Sequence, residues 1–282
     1  MTLSFRRGGA PAALAIAALV LAGCAASPTS SGGTGGEAES DYVTDGKFTV
    51  ATGEPAYYPW VIDDAPESGE GYEAAVAYAV AGQLGFDEDD VVWVRTTFDE
   101  AIAPGPKNFD VNLQQFSITE ERAQNVDFSS PYYETTQVVV TTGTSKAADA
   151  ESIADLKELL VGAQTGTTSF TAVEQQIAPS AGAQAFNTNE DAVLALQSGT
   201  VDAIVVDLPT AFFISGVELE DGVLVGQLPQ EGEGDEFGLV LEKDSPLTEE
   251  VSAAVDALRE DGTLDELAQE WLADAGDAPV LE

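Results

Sequence analysis

Apolar positions along the chain follow two rhythms. Short apolar or β-branched runs over 47–51, 91–94, 110–116, 135–142, 160–163 and 203–206 predict strands. Between them, Val76, Ala79, Val80 and Leu84 recur at roughly helical spacing, which predicts a helix over 71–84 that Gly85 stops. A short helix is predicted over 153–159. Thr188-Asn189-Glu190-Asp191 reads as a capping box with the acid at N3, opening a helix that Gly199 closes. Ser245-Pro246 has the pattern of an N-cap followed by proline and predicts a helix to about Glu260, with a last helix over 264–272. Strands alternating with helices predict an α/β fold.

Residues 1–40 stand outside that pattern. Arg6 and Arg7 precede an apolar run, 10–22, too short to cross a bilayer, which takes about 20 residues. The run ends Leu21-Ala22-Gly23-Cys24, and Cys24 is the single cysteine of the chain. This resembles a bacterial lipoprotein lipobox, in which the cysteine receives lipid; an ordinary signal peptide with an incidental cysteine is the alternative. The Gly/Ser-rich stretch after Cys24 reads as a flexible tether, so the folded body begins at about Asp41.

Composition removes whole classes of function. The 282 residues carry 10 basic and 50 acidic side chains, a net charge of −40, so no basic face exists to hold nucleic acid. Histidine is absent, which excludes a Ser-His-Asp triad and any His-ligated metal. One cysteine excludes an internal disulfide and a zinc ribbon. No G-x-G-x-x-G, G-x-x-x-x-G-K-[ST] or G-x-S-x-G occurs. At 44% apolar residues the chain can still build a core, which leaves carboxylate chemistry or plain ligand binding.

So few cations make each arginine informative. Arg122 follows a predicted strand, where open α/β sheets place ligands, and could take a carboxylate in a bidentate pair beside Ser117; a surface ion pair is the alternative. In Gly162-Ala163-Gln164-Thr165-Gly166-Thr167-Thr168 a strand turns into a helix whose first N–H groups favour an anion, or it is an ordinary turn. Asp207 ends an apolar strand and could meet an ammonium group, or merely N-cap the helix near Pro209. Glu54-Pro55-Ala56-Tyr57-Tyr58-Pro59-Trp60 is an aromatic loop suited to an apolar or cationic ligand part, or a core plug.

Taken in order, Ser117-Ile118-Thr119 with Arg122, then Val126-Asp127-Phe128-Ser129-Ser130-Pro131-Tyr132-Tyr133, resembles the signature of solute-binding protein family 3, the receptors of amino-acid ABC importers. The likeness continues through Asp155-Leu156-Lys157, Gly166-Thr167-Thr168, Val201-Asp202-Ala203 with Asp207, and Asp261-Gly262-Thr263-Leu264 with Trp271. The resemblance implies a type-II periplasmic-binding-protein fold, two α/β lobes joined by a two-stranded hinge with a ligand cleft between them. It implies a signal peptide over 1–23, lipidated Cys24 and linker over 24–43, lobe one over 44–135 and 236–282, and lobe two over 136–235. The crossings would fall near 133–137 and 235–237.

By the same resemblance, Arg122 and Ser117 would hold a ligand α-carboxylate, helped by backbone N–H groups near Thr167 and Thr168. Asp207 would take the α-ammonium, and Tyr57 and Phe98 would sandwich the ligand. Glu54, Trp60, Gln115 and Gln164 would line the pocket. Gln115 departs from the small residue many relatives have there, and the acidic segment 64–71 looks particular to this branch. The implied protein is a monomeric, non-enzymatic receptor on the extracellular face of the membrane, anchored through Cys24. It would deliver a zwitterionic amino acid or analogue to an ABC permease, with no cofactor and no metal. The alternatives are a dehydratase-like enzyme using Glu54, Glu73 or Asp207 as acid or base, and a ligand-sensing module.

Overall fold

Six consecutive buried residues, Phe48–Gly53, form β1 of the computed structural model, which describes residues 40–230, 234–272 and 278–282. Cys24, the expected signal segment and nearly all of the expected linker lie outside the described residues. β1 pairs in parallel with β2 (Val91–Thr96) and β3 (Val111–Asn112). The sheet is completed by β4 (Val126–Phe128) and, from much later in the chain, the antiparallel strand Val240–Glu242, in the order β2-β1-β3-(Val240–Glu242)-β4. The helices α1 (Tyr72–Gln83) and α2 (Phe98–Ile102) belong to this lobe. One face of the sheet packs Phe48, Val50, Val76, Val80, Leu113 and Leu241 into a core, and the other packs Ala51, Ala101, Phe109 and Phe116.

The chain then leaves through β5 (Tyr133–Thr135) and enters a second sheet. Its strands are β6 (Gln137–Thr142), β7 (Val161–Gln164), β8 (Gln184–Phe186), β9 (Ala203–Asp207) and β10 (Gly222–Gln227), in the order β10-β6-β9-β7-β8. Helices α3 (Ile153–Leu156), α4 (Thr168–Ala172), α5 (Asn189–Gln197) and α6 (Leu208–Phe213) connect them. β11 (Asp235–Phe237) returns antiparallel to β5, pairing Asp235 with Thr135 and Phe237 with Tyr133. β12 is the Val240–Glu242 strand of the first sheet, and α7 (Thr248–Glu260) and α8 (Thr263–Trp271) pack with α1. Two α/β lobes joined by a two-stranded hinge result, which is the expected fold class.

Four local expectations change. The run 110–116 is a strand only at Val111–Asn112, because Gln115 takes φ +51° and spends its N–H on a side-chain carboxylate instead of the ladder. The run 135–142 is broken at Thr136, where hinge gives way to lobe two. Ser245 does not cap α7: its Oγ accepts from Leu247 N, and the helix begins at Thr248. The last residues, expected with lobe one, lie on lobe two. Gln227 N donates to Pro279 O (2.7 Å), Leu281 N donates to Gln227 O (2.9 Å), and Leu281 sits in that lobe's core.

The aromatic loop is braced by the acidic segment after it. Asp64 Oδ1 accepts from Ala56 N (2.9 Å) and from Arg95 (2.5 Å). Gly71, at φ +102°, lets the start of α1 approach Trp60 so closely that a Cβ would lie 2.6 Å from its carbonyl oxygen. Thr188 caps α5 by accepting from Asp191 N (3.1 Å), as expected, although Asp191 returns no bond among the described residues. Thr188→Ala therefore lowers stability by about 1 kcal/mol in urea unfolding.

Candidate functional site

A cleft of about 310 Å³ lies where the two lobes face each other, at the small end of the range for small-molecule sites. Ten of the eleven residues expected at the ligand line it: Glu54, Tyr57, Phe98, Gln115, Ser117, Arg122, Gln164, Thr167, Thr168 and Asp207. Trp60 does not. It is fully buried, edge-on to Tyr72, Tyr133 and Phe237 at 5.6–6.0 Å, and its Nε1 donates to Thr210 Oγ1 of lobe two (2.9 Å). The loop's largest ring thus serves as core at the lobe junction, because the turn at Gly71 pins its backbone against α1.

Arg122 comes from the turn after β3 and is 7% exposed. Its guanidinium donates to Ser117 O (2.7 Å) in its own lobe and to Gly166 O (2.9 Å) in the other. It also stands 5.3 Å from the centre of the Phe98 ring, which packs at a tilt against Phe116. Five donors in a planar fork leave others for a carboxylate. Burial pulls its pKa down, while Asp235 and Asp207 push it back up. Gly166 takes φ +75° beside Asp99, so the strand-to-helix turn closes tightly over the arginine.

Asp207 ends β9 at the N-cap position of α6, yet its side chain makes no capping bond. Gln137 Nε2 instead donates to Asp207 Oδ1 (2.9 Å) and to Asp235 Oδ2 (2.7 Å). Burial first, then the charge of Asp235, push the Asp207 carboxyl up to about 7; the Gln137 bond and Arg122 act in the opposite direction. Burial, then Asp207, push the neighbouring Tyr133 phenol up to about 12.

Lobe two adds Thr168, whose Oγ1 lies 3.1 Å from Ser117 Oγ of lobe one. Thr167 caps α4 by accepting from Phe170 N (3.0 Å). The N–H groups of Thr168 and Ser169, in the first turn, have no acceptor within the helix. Tyr57 crosses towards Thr188 and Glu190, and burial raises its phenol while bonds there lower it.

Several lining residues escaped the sequence reading. Thr96 and Gln114 border the cleft, and with Asn112 they form a bonded polar floor: Asn112 Nδ2 and Gln114 Nε2 both donate to Thr96 Oγ1 (2.8 Å). The i, i+2 spacing of Asn112 and Gln114, alternating with Val111 and Leu113, was the available signal. Asn187, Thr188 and Asn189 enter from the loop after β8 and the start of α5, where the capping pattern marks a helix start but not a cleft. Among the described residues no cluster of His, Cys, Asp or Glu suits a metal ion, and no helix is long and apolar enough to cross a membrane.

A hinged pair of α/β lobes with a polar cleft between them, charged at both walls, defines a two-lobed solute-binding protein. Residues 49–274 match the family described as bacterial extracellular solute-binding proteins, family 3, and the chain belongs to it. It is 29% identical over 208 residues to a probable histidine-binding protein of Campylobacter jejuni, covering 71% of this chain and 76% of that one. It is 29% identical over 212 residues to the ABC transporter glutamine-binding protein of Bacillus subtilis, covering 73% and 75%. A solved structure of an ancestral arginine-binding protein bound to glutamine superposes with a TM-score of 0.67 at 31% identity, covering 81% and 98%. An ancestral amino acid-binding protein described as a precursor of cyclohexadienyl dehydratase gives 0.65 at 29%, covering 80% and 95%.

Proposed function

We propose that this protein binds a free amino acid or close analogue between its lobes and delivers it to an ABC importer. The observation that carries the reading is one cleft bordered by the Arg122 guanidinium from lobe one and the Asp207 carboxylate from lobe two. The Arg122 cation on one wall and the Asp207 anion on the other match a zwitterion, and either half-ligand alone leaves one of these two charges without its partner. The α-carboxylate goes to Arg122, with Ser117 and the first N–H groups of α4. The α-ammonium goes to Asp207, and Phe98 and Tyr57 cover the rest. Binding draws the lobes together about β5 and β11, presenting a joint surface to a permease. The names of the relatives support an amino acid as the solute. The lipobox-like Leu21-Ala22-Gly23-Cys24 supports a lipid anchor holding the receptor on the extracellular face, with the tether raising its concentration near the permease.

A thermal-shift screen of the protein amino acids tests the reading. At 100 times its Kd a ligand adds about 2.7 kcal/mol of stability. At least one amino acid raises the melting temperature by several degrees, whereas matching amines without a carboxylate do not. No shift with any amino acid abandons the reading. The likeness to a dehydratase precursor keeps carboxylate catalysis as a second reading. Long incubation with candidate cyclic acids, followed by mass spectrometry, decides it: any product turned over establishes an enzyme.

A further inference from the structure

Glu73 is the buried acid that the binding scheme leaves unused. It sits in the first turn of α1, is 1% exposed, and has no cationic partner among the described residues. Its carboxylate is nonetheless fully employed. Oε1 accepts from Gln115 N (2.7 Å) and from the Tyr132 hydroxyl, and Oε2 accepts from Gln115 Nε2. The backbone and side-chain nitrogens of one cleft residue are thus both held by one acid. Gln115 pays for this with φ +51°, a conformation that residues bearing a Cβ rarely adopt. Tyr132 adjoins hinge strand β5, and its carbonyl accepts from Tyr72 of α1 (2.7 Å), so the holder is itself fixed to the hinge.

The consequence lies in the carboxamide. A carboxylate only accepts, so the amide nitrogen of Gln115 must face Glu73 and its oxygen must face away. Among the described residues Oε1 of Gln115 has no hydrogen-bond partner, and it is not among the buried unpaired atoms. Gln115 lines the cleft. We propose that Glu73 is a positioning residue that turns Gln115 so that the ligand meets an acceptor, the carboxamide oxygen, and not the amide NH2. The site then favours a ligand N–H donor at that wall, whether ammonium, guanidinium or amide. This rests on the reading of the cleft as the ligand site.

A double-mutant cycle tests it, read by calorimetry with L-arginine and L-glutamine as probes. The pH is set about one unit above 7, the value to which burial pushes the Glu73 carboxyl, so that the acid is ionised. A neutral amide at 73 can give or take a hydrogen bond, so Glu73→Gln frees Gln115 to turn either way. It weakens the tighter-binding probe about tenfold when Gln115 is present and less than about twofold in a Gln115→Leu background. Equal losses in both backgrounds, or none with Gln115 present, overturn the proposal, since the acid then acts through charge or fold alone.

Should Glu73→Gln not fold, the wild-type protein answers by NMR. The Gln115 side-chain NH2 signal, identified by its loss in Gln115→Leu, is protected from exchange both before and after L-arginine or L-glutamine is added. Protection that arises only on adding the probe places the NH2 in the cleft and overturns the proposal. If no protein amino acid binds at millimolar concentration, the reading of the cleft fails and the inference falls with it; if only apolar amino acids bind, the cleft reading stands and the acceptor assignment falls. Binding of L-glutamate with exclusion of both probes leaves the cleft reading standing and overturns the acceptor assignment alone.

Discussion

Arg122→Ala loses about 2–5 kcal/mol of ligand affinity, roughly 30- to 5,000-fold in Kd, by isothermal titration calorimetry. The size follows from burial. At 7% exposure the guanidinium is largely out of water, and a carboxylate brought to that wall without it is a desolvated, unpaired charge. Part of the loss comes from the protein itself, because Arg122 also ties Ser117 O of one lobe to Gly166 O of the other. Arg122→Lys separates the two contributions. It keeps the charge but not the planar fork, so its loss lies between wild type and alanine. Circular dichroism melts of both variants confirm that the fold persists. Unchanged affinity in a folded Arg122→Ala protein removes the arginine from the ligand site and the zwitterion scheme with it.

Asp207→Asn loses a comparable amount, about 2–5 kcal/mol above neutral pH, and also changes the shape of the pH profile. Burial and Asp235 push the Asp207 carboxyl of the ligand-free protein up to about 7. An ammonium ligand needs the ionised form, so below that value wild-type affinity for an amino acid falls by up to about tenfold per pH unit. The asparagine variant is weak and nearly flat over the same range. Stability without ligand runs in the opposite direction. A carboxyl raised in the fold holds a proton that the unfolded chain has already released between about 4 and 7. Its contribution is fully present below the unfolded value and is lost as pH rises through about 7. Glu73, raised to about 7 by burial, adds to the same slope, so Asp207→Asn flattens it only in part. A wild-type affinity that does not weaken below neutrality would show that Asp207 does not receive the ammonium.

The cleft was largely legible because its residues announce themselves locally. Arg122 is rare by composition, Asp207 sits where an apolar strand ends, and Gly166-Thr167-Thr168 marks a strand-to-helix turn. Trp60 was misread for a related reason. An aromatic loop after a first strand looks the same whether its rings face a ligand or the core, and the choice was made by Tyr72, Tyr133 and Phe237, distant in sequence. The strand over 110–116 was overextended because hydrophobic alternation carries no information on where a backbone N–H finds its acceptor. At Gln115 that acceptor is a carboxylate 42 positions earlier in the chain.

Periodicity, composition and turn chemistry are properties of neighbouring residues, and they alone determined the α/β alternation and the absence of histidine chemistry. They also marked Arg122, one of few cations, and a strand-end aspartate as the charges worth following. Which polar groups meet is a matter of sheet register and of how the lobes face each other. Tertiary structure therefore decided that Gln137 bridges Asp207 to Asp235 and that Glu73 lies behind Gln115. It likewise decided that the chain's last residues return to lobe two. Burial then raised the two acids towards neutrality, because the loss of water around a charge depends on everything packed about it and on nothing written at a single position.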